Sequence, residues 1–161
     1  MKKLFGAISM LLLMPLALAY DSGSPYSVTV SWSVPSDTTF SVALASPCAQ
    51  VNFLPADKDT NEVEAECQDV ATGVPILTMT NQGNVNLTFK ASLTATMPSY
   101  VVLKGDSGGD YAGADTITNG LTTINSSIVA GDTADEYLWA DFNTAIGGNG
   151  TRTLQVSDVE G

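Results

Sequence analysis

A two-residue rhythm runs through this chain and restricts its fold more than any other feature. In residues 75–93 (PILTMTNQGNVNLTFKASL), Leu77 and Met79 alternate with Ile76, Thr78 and Thr80. Further on, Val85, Leu87, Phe89, Ala91 and Leu93 alternate with Asn86, Thr88, Lys90 and Ser92. Apolar and polar residues in strict alternation mark a strand with one buried face. Asn81, Gly83 and Asn84 lie between the two arms and tolerate positive φ, so the spacing predicts an antiparallel hairpin at the centre of the fold. The rhythm returns in residues 26–34, where Tyr26, Val28, Val30, Trp32 and Val34 share one face and Ser and Thr the other. It returns again in residues 39–45 through Phe40, Val42 and Leu44. Shorter strands are expected at 50–53, 100–104, 121–129 and 151–156, and at 135–142, where Tyr137 and Trp139 alternate with Leu138 and Ala140. Residues 105–119, rich in Gly and Asp, are expected to form a long exposed loop. Eight to ten short strands with Gly, Pro, Asn and Asp between them predict an all-β fold, an Ig-like or jelly-roll-type antiparallel β-sandwich.

The one long apolar run lies at the start. Lys2 and Lys3 precede an apolar core at 4–16, and Ala17-Leu18-Ala19 forms an A-x-A cleavage site before polar Tyr20-Asp21-Ser22-Gly23. This is the layout of a secretory signal, too short to be a membrane anchor. Residues 1–19 are therefore expected to be a cleaved signal peptide, 20–34 a tail with a first strand, and 35–161 the sandwich. After cleavage no membrane span is expected. Loss of Lys2 and Lys3, with no acidic residue before Tyr20, takes the net charge from −11 to −13. Four basic residues remain, Lys58, Lys90, Lys104 and Arg152. Such an acidic surface repels nucleic acid and anionic lipid heads, and neither is expected as a partner.

Chemistry-bearing motifs are sparse. Cys48 and Cys67 are the only cysteines, and behind a signal peptide an even pair predicts a disulfide. Gly105-Asp-Ser-Gly-Gly109 spells the surroundings of a serine-protease nucleophile, but the chain has no histidine to take the proton from Ser107. An enzyme is not expected. Asp57, Asp59 and Asn61 stand at alternate positions, as in oxygen-ligand calcium loops. An EF-hand is excluded, because Glu62 and Gln68 occupy its sixth and twelfth places. A looser calcium site with Glu64 or Glu66 is the remaining metal candidate, and no other cofactor is expected. The sequons at Asn86, Asn125 and Asn149 are candidate N-glycosylation sites. Trp32, Trp139 and Tyr137 are candidates for a sugar platform, set against a place in the core.

Three phrases together carry a resemblance: the 75–93 stretch, IVAGDTADEYLW at 128–139, and GTRTL at 150–154. Over roughly residues 74–157 the chain resembles the Ig-like sandwiches of secreted archaeal and bacterial surface proteins. Among these it is similar to archaeal filament subunits, the thread and bundling-pilus proteins, and to the TasA-like matrix fibre. The resemblance implies a secreted, cell-surface structural protein that polymerises head to tail by donor-strand complementation, for surface adhesion or biofilm cohesion. An N-terminal strand of one subunit would complete a sheet of the next. Tyr26, Val28, Val30, Trp32 and Val34 would be the inserted row. The alternative expectation is a secreted binding module that recognises surface glycans or a cell-envelope partner.

Overall fold

The computed structural model describes residues 29, 31, 33–54, 59–143 and 150–160. The chain divides into Met1–Ser33, of which only Thr29, Ser31 and Ser33 are described, and Val34–Gly161, which carries the fold. Nine strands follow in order: β1 (Phe40–Leu44), β2 (Val63–Glu64), β3 (Leu77–Asn81), β4 (Leu87–Leu93), β5 (Val101–Asp106), β6 (Asp115–Ile117), β7 (Thr122–Ile128), β8 (Thr133–Phe142) and β9 (Leu154–Glu160). Two short 3-10 turns, Val70–Thr72 and Tyr111–Gly113, interrupt them. All strand pairs are antiparallel, and they form two sheets. Sheet I has the order β1-β3-β8-β5-β6, with β2 beside the far half of β8, and sheet II has the order β7-β4-β9. The protein is an all-β sandwich. Among the described residues no helix is long and apolar enough to cross a membrane.

The alternation explains which side chains meet. In β4, Leu87, Phe89, Ala91 and Leu93 are buried while Thr88, Lys90 and Ser92 are half-buried. They face Ile76, Leu77 and Met79 next to and within β3, and Leu103, Ile117, Ala134 and Leu138 from the rest of sheet I. Burying each large aliphatic or aromatic side chain here contributes about 1.5–3 kcal/mol. Phe40 of β1 reaches this core, its ring centroid 5.3 Å from that of Phe89.

The expected 75–93 hairpin does not exist. β3 pairs with β1 and β8, and β4 pairs with β7 and β9. The connection between them crosses from one sheet to the other, so its two arms face each other through side chains rather than through backbone hydrogen bonds. Alternation specifies a buried face. It does not say whether two successive strands share a sheet.

Asn81 makes that crossing. It is fully buried, and its side-chain amide donates to the Val85 carbonyl at 2.8 Å and the Ile128 carbonyl at 2.9 Å. Its side-chain oxygen accepts from the Gly83 N–H at 3.0 Å, and its backbone N–H donates to the Asp132 carbonyl. The segment ahead of β1 straps the same turn: the Gln82 N–H donates to the Thr39 carbonyl, the Asn84 N–H to the Asp37 carbonyl, and the Asn84 amide to the Pro35 carbonyl. Gly83 is required by this approach, because a Cβ there would stand 1.9 Å from the Asp37 carbonyl oxygen.

Residues 105–119 also differ from expectation. They hold the end of β5, a 3-10 turn and β6, and Gly105 and Ile117 are buried. Asp106 folds the stretch by accepting from the Gly108 and Asp110 N–H groups at 2.7 and 2.9 Å. Composition signalled the turns but not the packing underneath them. The expected bridge Cys48–Cys67 is formed, with an S–S distance of 2.01 Å, and ties the segment after β1 to the turn after β2.

Replacing Asn81 with Leu strands two carbonyls and the Gly83 N–H in an apolar setting, which costs about 3 kcal/mol. Urea unfolding should show a lower midpoint with an unchanged slope. A similar loss is expected for Gly83→Ala.

Candidate functional site

Sheet I is buried on both faces along β8. Ala134, Glu136, Leu138 and Ala140 face the core, while Tyr137, Trp139 and Asp141 on the outer face are buried as well. Two segments cover them. From one side Gln68 accepts from the Leu138 N–H at 2.7 Å, and the Ala65 N–H donates to the Leu138 carbonyl. From the other, the 106–114 stretch brings Tyr111 edge-on to Trp139, with ring centroids 5.9 Å apart. Tyr137 stacks on Trp139 at 6.4 Å. Trp139 is only 3% exposed, which removes it from any sugar-binding platform. Its alternation with Leu138 is real, but here both faces of the strand are covered.

A charged network closes this outer layer. The Tyr111 hydroxyl donates to the Asp141 carboxylate, 2.7 and 2.9 Å from its two oxygens, and the Glu62 N–H donates to it at 3.0 Å. Lys104 Nζ lies 3.5 Å from Asp141 Oδ2 and 4.1 Å from the Tyr111 ring centroid. Burial alone would raise the Asp141 carboxyl; the Glu62 N–H, the Tyr111 hydroxyl and the Lys104 ammonium together outweigh it and hold it below the usual carboxylate value. The Tyr111 hydroxyl, against Lys104, raises the ammonium's pKa, with Asp141 adding to it. These groups satisfy one another, and the network ties the covering segments to β8.

Glu136 has no such partners. It is fully buried on the core side of β8, and neither carboxyl oxygen has a hydrogen-bond partner. It fits only because position 105 is glycine: a Cβ there would lie 2.3 Å from Glu136 Oε1 and 2.9 Å from the Ile117 methyl. Desolvation first, then the nearby Asp106 and Asp115 carboxylates, pushes its pKa up to about 9. At neutral pH it is an uncharged acid. The sequence carried a signal for it, an acidic residue in register with Ala134, Leu138 and Ala140.

The residues singled out from sequence are scattered. Of the 26–34 row, Tyr26, Val28, Val30 and Trp32 lie outside the described residues, as does the 1–19 segment. Val34 is 70% exposed and belongs to no strand. Its polar neighbours Thr29, Ser31 and Ser33 are exposed and also belong to no strand. Asp57 and Asn149 lie outside the described residues. Asp59, with φ 57°, and Asn61 are exposed, and among the described residues no three acidic, histidine or cysteine side chains gather to hold a metal ion. Glu66 accepts from the Asn52 amide at 2.8 Å. Asn86 is exposed just before β4. Asn125 is half-buried and donates to the Asp135 carbonyl at 3.0 Å, beside a register shift in β7 where Ser127 takes φ 57°. Ser107 is exposed, and the chain has no histidine to serve as its base. A cleft of about 210 Å³, lined by Leu93, Met97, Pro98, Val101, Leu103 and Ile117 among others, has no charged lining residue.

The core-side row of β1 is partly open. Phe40, Val42 and Leu44 pair with Asn81, Met79 and Leu77. Directly paired residues share a sheet face, and these partners are buried. The β1 row therefore points to the core side, yet Val42 is 41% and Leu44 36% exposed. No family model, curated protein or solved structure matches the chain. Function rests on this geometry.

Because the folded pKa of Glu136 lies above its ordinary 4.5, the stability it contributes is complete below about pH 4.5 and is lost as pH rises through about 9. Between those limits the unfolded chain ionises and the folded one does not, which costs about 1.4 kcal/mol per pH unit. Glu136→Gln should flatten that slope when unfolding free energy is measured from pH 5 to 9.

Proposed function

We propose that this chain is a secreted structural subunit of an extracellular filament or pilus, with an Ig-like or jelly-roll-type sandwich, assembled head to tail by donor-strand complementation for surface adhesion or biofilm cohesion. One observation carries the reading. The most regular amphipathic row in the sequence is residues 26–34, and its described members Thr29, Ser31, Ser33 and Val34 are exposed and belong to no strand, while among the described residues nine other strands make up the sandwich. The strap at 35–39 is bonded to the 82–84 turn through the Thr39, Asp37 and Pro35 carbonyls. A strand free of its own sheets can join another's, with main-chain hydrogen bonds supplying affinity and alternate side chains supplying register. A contact of this head-to-tail kind does not close on itself and yields an open fibre.

The disulfide and the signal-like N-terminus support an oxidising, extracellular setting. Exposed Asn86 is the sequon best placed to carry a glycan. The second reading, a glycan- or envelope-binding module, is disfavoured by the burial of Trp139 and Tyr137.

Negative-stain microscopy of the mature protein, beside a version lacking residues 20–34, tests the proposal. Fibres are expected from the mature protein and none from the shortened one. A mature protein that remains a folded monomer at high concentration would sink the reading.

A further inference from the structure

We propose that the free edge of β9, together with the uncovered core-side face of β1, is an acceptor groove for residues 26–34 of a second copy of this chain. The occupant rests on the filament reading above; the groove is read from the sandwich itself.

Sheet II has three strands beneath a six-stranded sheet I. Its β7 margin is closed, because residues 118–121 carry the chain directly from β6, the margin of sheet I, into β7, and the Leu93 N–H donates to the Thr118 carbonyl at 2.7 Å. The opposite margin of sheet II is β9, and the opposite margin of sheet I is β1. Among the described residues β9 pairs with β4 on one side and with no strand on the other. Leu154 and Val156 of β9 pair with buried Leu93 and Ala91, so they too point to the core side, and they are only half-buried. One strand added to β9 would cover Val42 and Leu44 from across the sandwich and finish burying Leu154 and Val156. A strand added to the outer edge of β1 would leave that face open. β6 offers three residues, too few for a long ladder.

The 26–34 stretch matches the groove in length, polarity and charge. Nine extended residues span about 30 Å against about 23 Å for the seven of β9. Its row of Tyr26, Val28, Val30, Trp32 and Val34 supplies one continuous apolar face. The stretch carries no charge, in a chain whose net charge is −11. Two copies that repel over most of their surfaces can therefore meet through a neutral strand on an apolar margin.

The test is hydrogen exchange on the full-length mature protein as monomer and as assembly, beside Val30→Asp and the double variant Val42→Asp, Leu44→Asp. Amides in residues 154–160 should slow at least about tenfold on assembly, while β6 and the outer edge of β1 stay unchanged. Both variants should lose assembly. Val30→Asp alters none of the nine strands, so an unchanged circular dichroism spectrum and unfolding midpoint will show that loss of assembly there is not loss of fold. Assemblies in which 154–160 exchange as fast as in the monomer overturn the acceptor and leave the filament reading standing. A wild-type monomer already protected at 154–160, with Val30→Asp removing the protection, means the strand folds onto its own domain and overturns the second copy as occupant. A chain that never assembles and shows no such protection overturns both.

Discussion

The buried amide of Asn81 is the constraint on which the two sheets depend. Two antiparallel sheets can slide and rotate against each other when only apolar side chains lie between them, because hydrophobic burial is non-directional. Asn81 removes that freedom. Its side chain bonds to the Val85 carbonyl at the entry to sheet II and to the Ile128 carbonyl at the end of β7, and its backbone bonds to the turn that leads into β8. One residue thus fixes the crossing from β3 to β4 against the crossing from β7 to β8. The strap at 35–39 locks the same corner from outside, and it approaches so closely that only glycine fits at position 83. Satisfied buried polar groups of this sort give a core one arrangement rather than several.

The rest of the polar interior divides by face. On the outer side of β8, Asp141, Tyr111 and Lys104 satisfy one another and hold covering segments in place. On the core side, Glu136 is held neutral by its surroundings above the bare backbone of Gly105. The contrast shows two ways to carry a carboxylate into a sandwich: one is paired, and the other keeps its proton. The cleft beside Met97 has no charged lining residue.

Much of this fold was legible because strand periodicity reports burial directly. The rows Phe40-Val42-Leu44 and Leu87-Phe89-Ala91-Leu93 appear in sequence as they appear in β1 and β4, and the Cys48–Cys67 bridge follows from there being one pair. What periodicity omits is the partner of each strand, and so the TNQGN turn read as a hairpin when it joins two sheets. It also omits cover on the second face. Tyr137 and Trp139 alternate with Leu138 and Ala140, a pattern that leaves one face without cover, and the folding of 62–74 and 106–114 over β8 buries both faces. Asn81 reads as a turn residue in sequence, because a buried amide and a turn amide have the same one-letter signature. The site was less legible still: the row at 26–34 is visible in sequence, whereas the exposed core-side face of β1 requires the β1–β3 register.

The absence of a β3–β4 hairpin has a consequence for how the molecule comes into being. β3 must wait for β8, and β4 for β9, partners more than fifty residues further along the chain. Pairings so distant in sequence make folding slow, since long loops must close before their contacts are rewarded. While the chain is being synthesised, one edge of β4 can pair with β7, but its other edge therefore stays open until residues 154–160 have emerged. During that interval the open edge of β4 is exposed to pairing with other chains, and the arrival of β9 is the step that closes it.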